Sequence, residues 1–127
     1  MVELRLSRRA KWLVALLIGL TLLVALTWNW LAFAVALALS ERRPSLLTDA
    51  EWGRPAPEFQ NRFREGTREA EMLGWLKVNG FQVDERGRQA TRLVRSLPCN
   101  ESIEVSWRTT DRLIRESSAV VSEAGCL

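Results

Sequence analysis

Hydrophobic positions along the chain fall into two regimes. From Trp12 to Leu39 the sequence holds 24 apolar residues in a run of 28 with no charge. Such a run exceeds the ~20 residues a helix needs to cross a hydrocarbon core. It predicts a transmembrane helix over 12–39, about 42 Å long at 1.5 Å per residue, which is longer than the ~30 Å core. A cleaved signal peptide shares the basic start, the apolar run and an Ala36-x-Ala38 site, but its apolar region usually spans only ~7–15 residues. The expectation is therefore an uncleaved anchor.

After Leu39 the pattern changes twice. Residues 40–57 carry Pro44, Pro55 and Pro57, which oppose a continuous helix and predict an extended, semi-rigid linker. Thr48-x-x-Glu51, with Leu46, Leu47 and Trp52, offers at most one helical turn there. From residue 58 to 127 the spacing is that of a folded domain. Phe59 and Phe63 share one face of a short helix that Gly66 ends. Thr67 is placed to cap a second helix. Along it Ala70, Leu73 and Lys77 form one line, with Met72, Trp75 and Leu76 beside it, and Asn79-Gly80 closes it.

The rest reads as strands. Phe81-Gln82-Val83 alternates, Glu85–Arg88 turns, and Ala90–Leu97 forms a strand stopped by Pro98. Ile103, Val105 and Trp107 alternate with Glu104, Ser106 and Arg108, so one face is buried and the other wet. A turn at Thr110-Asp111 leads to a last strand, Leu113–Val121. The predicted fold class is a single transmembrane helix followed by a small α+β domain, with one or two helices on a three- or four-stranded antiparallel sheet.

Charge favours one orientation. Residues 1–11 hold Arg5, Arg8, Arg9 and Lys11 against Glu3, a basic tail that supplies the whole +3, while 12–57 and 58–127 each sum to zero. Basic residues concentrated before the span place the N-terminus in the cytoplasm and the C-terminal domain in the periplasm or outside, at a bacterial inner membrane. A neutral outer domain lacks the basic face that nucleic-acid binding needs.

Within the span, Trp28-Asn29-Trp30 interrupts the apolar run. Either the two tryptophans form the outer aromatic belt, or Asn29 lies in hydrocarbon and its amide seeks a neighbouring helix. Simple tilt, with Asn29 bonded to its own helix backbone or to a water defect, accounts for the same length. Ala15-xxx-Gly19, Ala32-xxx-Ala36 and Ala34-xxx-Ala38 permit close helix approach. Asn29, Trp28, Trp30, Ala15 and Gly19 are thus the candidate intramembrane contacts.

The chain has two cysteines and no histidine. With a turn at Thr110-Asp111, Cys99 faces Ser122 and comes within loop reach of Cys126, so a disulfide between Cys99 and Cys126 is expected, stapling a domain of marginal size in an oxidising compartment. The pair is not a Cys-x-x-Cys redox motif. Without histidine there is no Ser-His-Asp or Cys-His catalysis, and no phosphate-binding or nucleophile-elbow motif occurs. Eleven carboxylates between Glu58 and Glu123 alternate with eleven cations, the pattern of a solvated surface rather than of a paired acid and base. No enzyme activity, cofactor or metal is expected. Asn100-Glu101-Ser102 is a glycosylation sequon, relevant only in a eukaryotic secretory route.

Three stretches carry a family resemblance: Gly66-Thr67 with Glu69-Ala70, Trp75-Leu76-x-x-x-Gly80-Phe81, and Ile103–Trp107 followed by Asp111-Arg112-Leu113-Ile114. Together they resemble the small two-layer α/β module of outer-membrane assembly lipoproteins of the SmpA/OmlA type and of beta-lactamase inhibitor proteins, over about half the chain. The chain departs from that pattern in having Asp111-Arg112 where the family has an Asp-Gly turn, in lacking a lipidated cysteine near its start, and in using a membrane helix. The resemblance implies a binding or scaffolding module. Two functions follow: an envelope protein whose outer domain binds protein partners, as assembly factor or accessory subunit of a membrane complex, or a tethered module that binds an envelope ligand or acts like an inhibitor.

Overall fold

A computed structural model describes residues 7–126 of the chain. The described residues divide into two units, one ending at Leu39 and one beginning at Ser40. Glu3 and Arg5 of the basic tail lie outside the described residues, as does Leu127.

The first unit is helix α1, Arg8–Ala38. It starts where the Ser7 hydroxyl accepts the Ala10 N–H at 3.3 Å, a side-chain cap for one of the orphan amides of the first turn. It runs through Trp28-Asn29-Trp30 without a break and has no buried residue. At this length and composition it can cross a membrane. Thr21 and Thr27 fold their hydroxyls back onto carbonyls one turn earlier, Leu17 or Ile18 and Leu23 or Val24, so neither leaves an unmet donor in an apolar helix.

The second unit packs two short helices, α2 (Pro57–Arg62) and α3 (Glu69–Val78), on one face of an antiparallel sheet of β1 (Gln82–Asp84), β2 (Gln89–Val94), β3 (Cys99–Thr110) and β4 (Leu113–Cys126), in the order β1-β2-β3-β4. The inward apolar positions of β3 are Ile103, Val105 and Trp107, as the alternation predicts. They meet Phe59 and Phe63 of the α2 region and Met72 and Leu76 of α3 in one core. Trp75 stands edge-on to both phenylalanines at 5.6 and 5.7 Å between ring centres, a favourable aromatic geometry.

Several local expectations are corrected. Thr67 does not cap α3: Arg68 occupies the N-cap and makes no side-chain cap. Gly66 N–H instead donates to Ile114 O, and Ile114 N–H donates to Thr67 O, because the Gly66-Thr67 segment pairs with the edge of β4. The buried stripe of α3 is Met72 and Leu76, whereas Ala70 and Lys77 are exposed. The β3–β4 turn falls at Asp111-Arg112, both with positive φ (53° and 64°), one residue beyond the expected Thr110-Asp111. That conformation matches the right-handed twist of the flanking strands.

The largest correction concerns residues 40–57. They are not a free linker but part of the second unit. Leu47, Ala50 and Ala56 are buried in its core. Gly53 N–H donates to Val121 O at 2.9 Å and Ala56 N–H to Ala119 O at 2.8 Å. The proline-rich stretch is thus a strap along the outer edge of β4, a 14-residue strand whose edge would otherwise present unpaired backbone groups. Proline tolerates this role because an edge segment need not donate at every residue. Before Pro57, which opens α2, only Ser45–Leu47 is helical, as one 3-10 turn. Thr48 follows that turn and donates its hydroxyl back to Ser45 O at 3.2 Å, so the one turn lies before Thr48 rather than between Thr48 and Glu51.

Candidate functional site

The strap is locked by a charged clasp that sequence reading missed. Glu101 occupies an inward position on β3 and is 8% exposed. Its carboxylate accepts Arg43 Nε–H at 2.7 Å and an Arg43 Nη2–H, and accepts Trp52 Nε1–H at 2.8 Å. The other arm of the guanidinium, Nη1, donates to the carbonyls of Ala50 (2.8 Å), Thr48 (3.3 Å) and Leu47 (3.4 Å). One arginine therefore gathers three strap carbonyls and one sheet carboxylate. Its planar fork suits this better than a point charge could. The hydrogen bonds from Arg43 hold the Glu101 carboxyl below its ordinary range, against the opposing effect of burial, and Glu101 in turn raises Arg43. A carboxylate kept ionised at neutral pH has no proton to deliver, so its chemistry here is anchoring. One signal was available: an acid in phase with Ile103, Val105 and Trp107 must face the core and needs a cation.

Beside the clasp, Cys99 and Cys126 are disulfide-bonded. They face each other directly in the β3–β4 register, whereas the sequence placed Ser122 opposite Cys99. The shift has two sources. The turn lies one residue later, and register shifts at Asn100/Glu101 and Arg108/Thr109 each advance the partner further. Glu123 lies near enough for its carboxylate and the two sulfurs to sit within 4.8 Å of one another. Sulfurs bonded to each other carry no thiolate charge, and thiolate is the form that ligates metal.

Within the second unit the sheet face opposite the helices is uncovered among the described residues and mostly polar, with Leu93 half-exposed on it opposite Ser102. On it Ser102 pairs with Ser122, Ser106 with Ser118, and Arg108 with Glu116. Glu104 stands between the serine pairs, opposite Val120, with no ion-pair partner among the described residues. Several other acids of the domain pair with cations at its surface, including Glu65 with Arg115 and Glu85 with Lys77.

In the first unit Ala15, Gly19, Trp28, Asn29 and Trp30 all lie on α1, with both tryptophans largely exposed. At 100° per residue Ala15 and Gly19 fall within about 40° of each other, and Asn29 about 40–80° to one side of them. Trp28 and Trp30 flank Asn29 on opposite sides. Unlike Thr21 and Thr27, Asn29 makes no hydrogen bond from its side chain within the helix. No protein-family model, curated protein or solved structure matches this chain.

Proposed function

We propose that the protein is a single-pass membrane protein of the bacterial cell envelope. In this reading α1 spans the inner membrane with its N-terminus in the cytoplasm. The domain from Ser40 onward lies on the periplasmic or outer side and binds protein partners, as an assembly factor or an accessory subunit of a membrane complex. The observation that carries the proposal is α1 itself: 31 residues with no buried side chain, followed at once by a folded unit. Concentration of basic residues before the span favours the stated orientation. The Cys99–Cys126 bond fits an oxidising compartment. The mostly polar, open sheet face offers a broad surface rather than an enclosed cleft, which favours binding over catalysis. The resemblance of residues 66–114 to assembly-protein modules points the same way.

The test separates a working span from a passive tether. Replacing 12–39 with a polyleucine helix of equal length should abolish co-purification of the partner and complementation of a deletion strain. Retained activity in that variant would reject the present reading in favour of a tethered module for an envelope ligand.

A further inference from the structure

We infer that α1 pairs with α1 of a second copy of this chain through Asn29; the inference rests on the span proposed above. With the whole run from Trp12 to Leu39 embedded, its midpoint falls between Ala25 and Leu26, and Asn29 lies about 5 Å from the bilayer midplane at 1.5 Å per residue. An amide there has no water to satisfy it. The helix does not satisfy it either, although it satisfies both of its threonine hydroxyls.

The surface around Asn29 is shaped for a close neighbour. Thr21, Ala25, Asn29, Ala32 and Ala36 fall within an arc of about 80° at 100° per residue, so small side chains lie above and below the amide. A shallow groove lined by Leu20, Thr21, Val24, Ala25, Trp28 and Asn29 runs along one side, and a second lined by Asn29, Trp30 and Phe33 meets it at the amide.

A second copy is the occupant this chemistry selects. A carboxamide carries both donor and acceptor. Two identical helices inserted in the same direction bring their Asn29 amides to the same depth, where each donates to the other across a two-fold axis. An isologous contact also needs a ridge and a hollow on the same patch, and Trp28 beside Ala25 provides them.

The full-length protein, labelled at its N-terminal amine with donor or acceptor dye and reconstituted in phosphatidylethanolamine/phosphatidylglycerol vesicles, reads this out as energy transfer during dilution with lipid. Transfer is expected from the wild-type chain. Asn29→Leu should shift the dilution midpoint by about tenfold, the order expected for losing two interhelical amide hydrogen bonds. Leu16→Ala, on the opposite face, should leave it unchanged. Vesicle flotation in the same samples reports insertion separately. A chain that floats but shows no transfer, or whose midpoint ignores Asn29→Leu, overturns the pairing and leaves the span standing; a chain that does not float overturns both.

Discussion

Replacing Glu101 with alanine removes the anchor on which the strap closes. Arg43 would then keep its bonds to the carbonyls of Leu47, Thr48 and Ala50 but lose the counter-charge, and Trp52 Nε1–H would lose its acceptor. The Arg43 and Glu101 side chains are 19% and 10% exposed, so the pair lies between the surface and buried cases. Breaking a fully buried pair costs ~3–5 kcal/mol, and an exposed one ~0–1 kcal/mol. The partial water contact of Arg43 brings the expected cost to about 2 kcal/mol. Because the clasp is the strap's one ion pair to the sheet among the described residues, that cost should appear as local opening. Amide exchange of the full-length protein in detergent would then quicken about thirtyfold at Gly53 and Ala56, with little change in α3 or β2. Unaltered protection at Gly53 and Ala56 would refute the assignment of the clasp as the lock. Equal loss across the whole domain would refute the claim that the strap opens on its own.

The same clasp gives a pH dependence. Glu101 has a depressed folded-state pKa, so its stabilisation is fully present above the ordinary carboxylate range and is lost as pH falls through the depressed value. Strap protection should be flat from neutral pH down to about 5 and fall only in stronger acid, and Glu101→Gln should remove that acid-dependent step from the exchange profile. Replacing both cysteines with alanine opens a cross-link of sequence separation 27 and should cost about 3.5 kcal/mol by the chain-entropy relation, read from denaturant unfolding of the domain's near-ultraviolet signal. Arg112→Gly should stabilise by about 1 kcal/mol in the same assay, because Arg112 sits at φ 64°, where glycine meets no Cβ penalty. Phe59→Ala, at a fully buried site, should destabilise by about 3–5 kcal/mol.

The sheet was legible because one face of β3 is wet and the other dry: Ile103, Val105 and Trp107 reveal strand, phase and inner face together. The ends of α3 divided instructively. Asn79-Gly80 was legible because a left-handed exit, with Gly80 at φ 75°, is a local requirement. Thr67 misled because its backbone is committed to Ile114, a partner far along the chain. Residues 40–57 were misread for the same kind of reason. Proline density reports that a segment is neither helix nor central strand, but it does not distinguish free chain from chain laid along a sheet edge. What decided the matter was Leu47, Ala50 and Ala56 finding a core, and Arg43 finding Glu101 across 58 positions. The cysteine pairing was legible in outline, while its register depended on a turn and two irregularities set by backbone geometry. In α1 the apolar run gave the helix directly. The role of Asn29 depends on what lies beside that helix.

The proposal that α1 anchors the chain in a membrane and that the chain works by holding another protein is tested most directly by purifying the tagged full-length protein from cell membranes in mild detergent and weighing the intact complex by native mass spectrometry. The expected mass includes a stoichiometric second polypeptide beyond copies of this chain. Recovery of this chain alone, under conditions in which other membrane complexes from the same preparation stay intact, would contradict the proposed role.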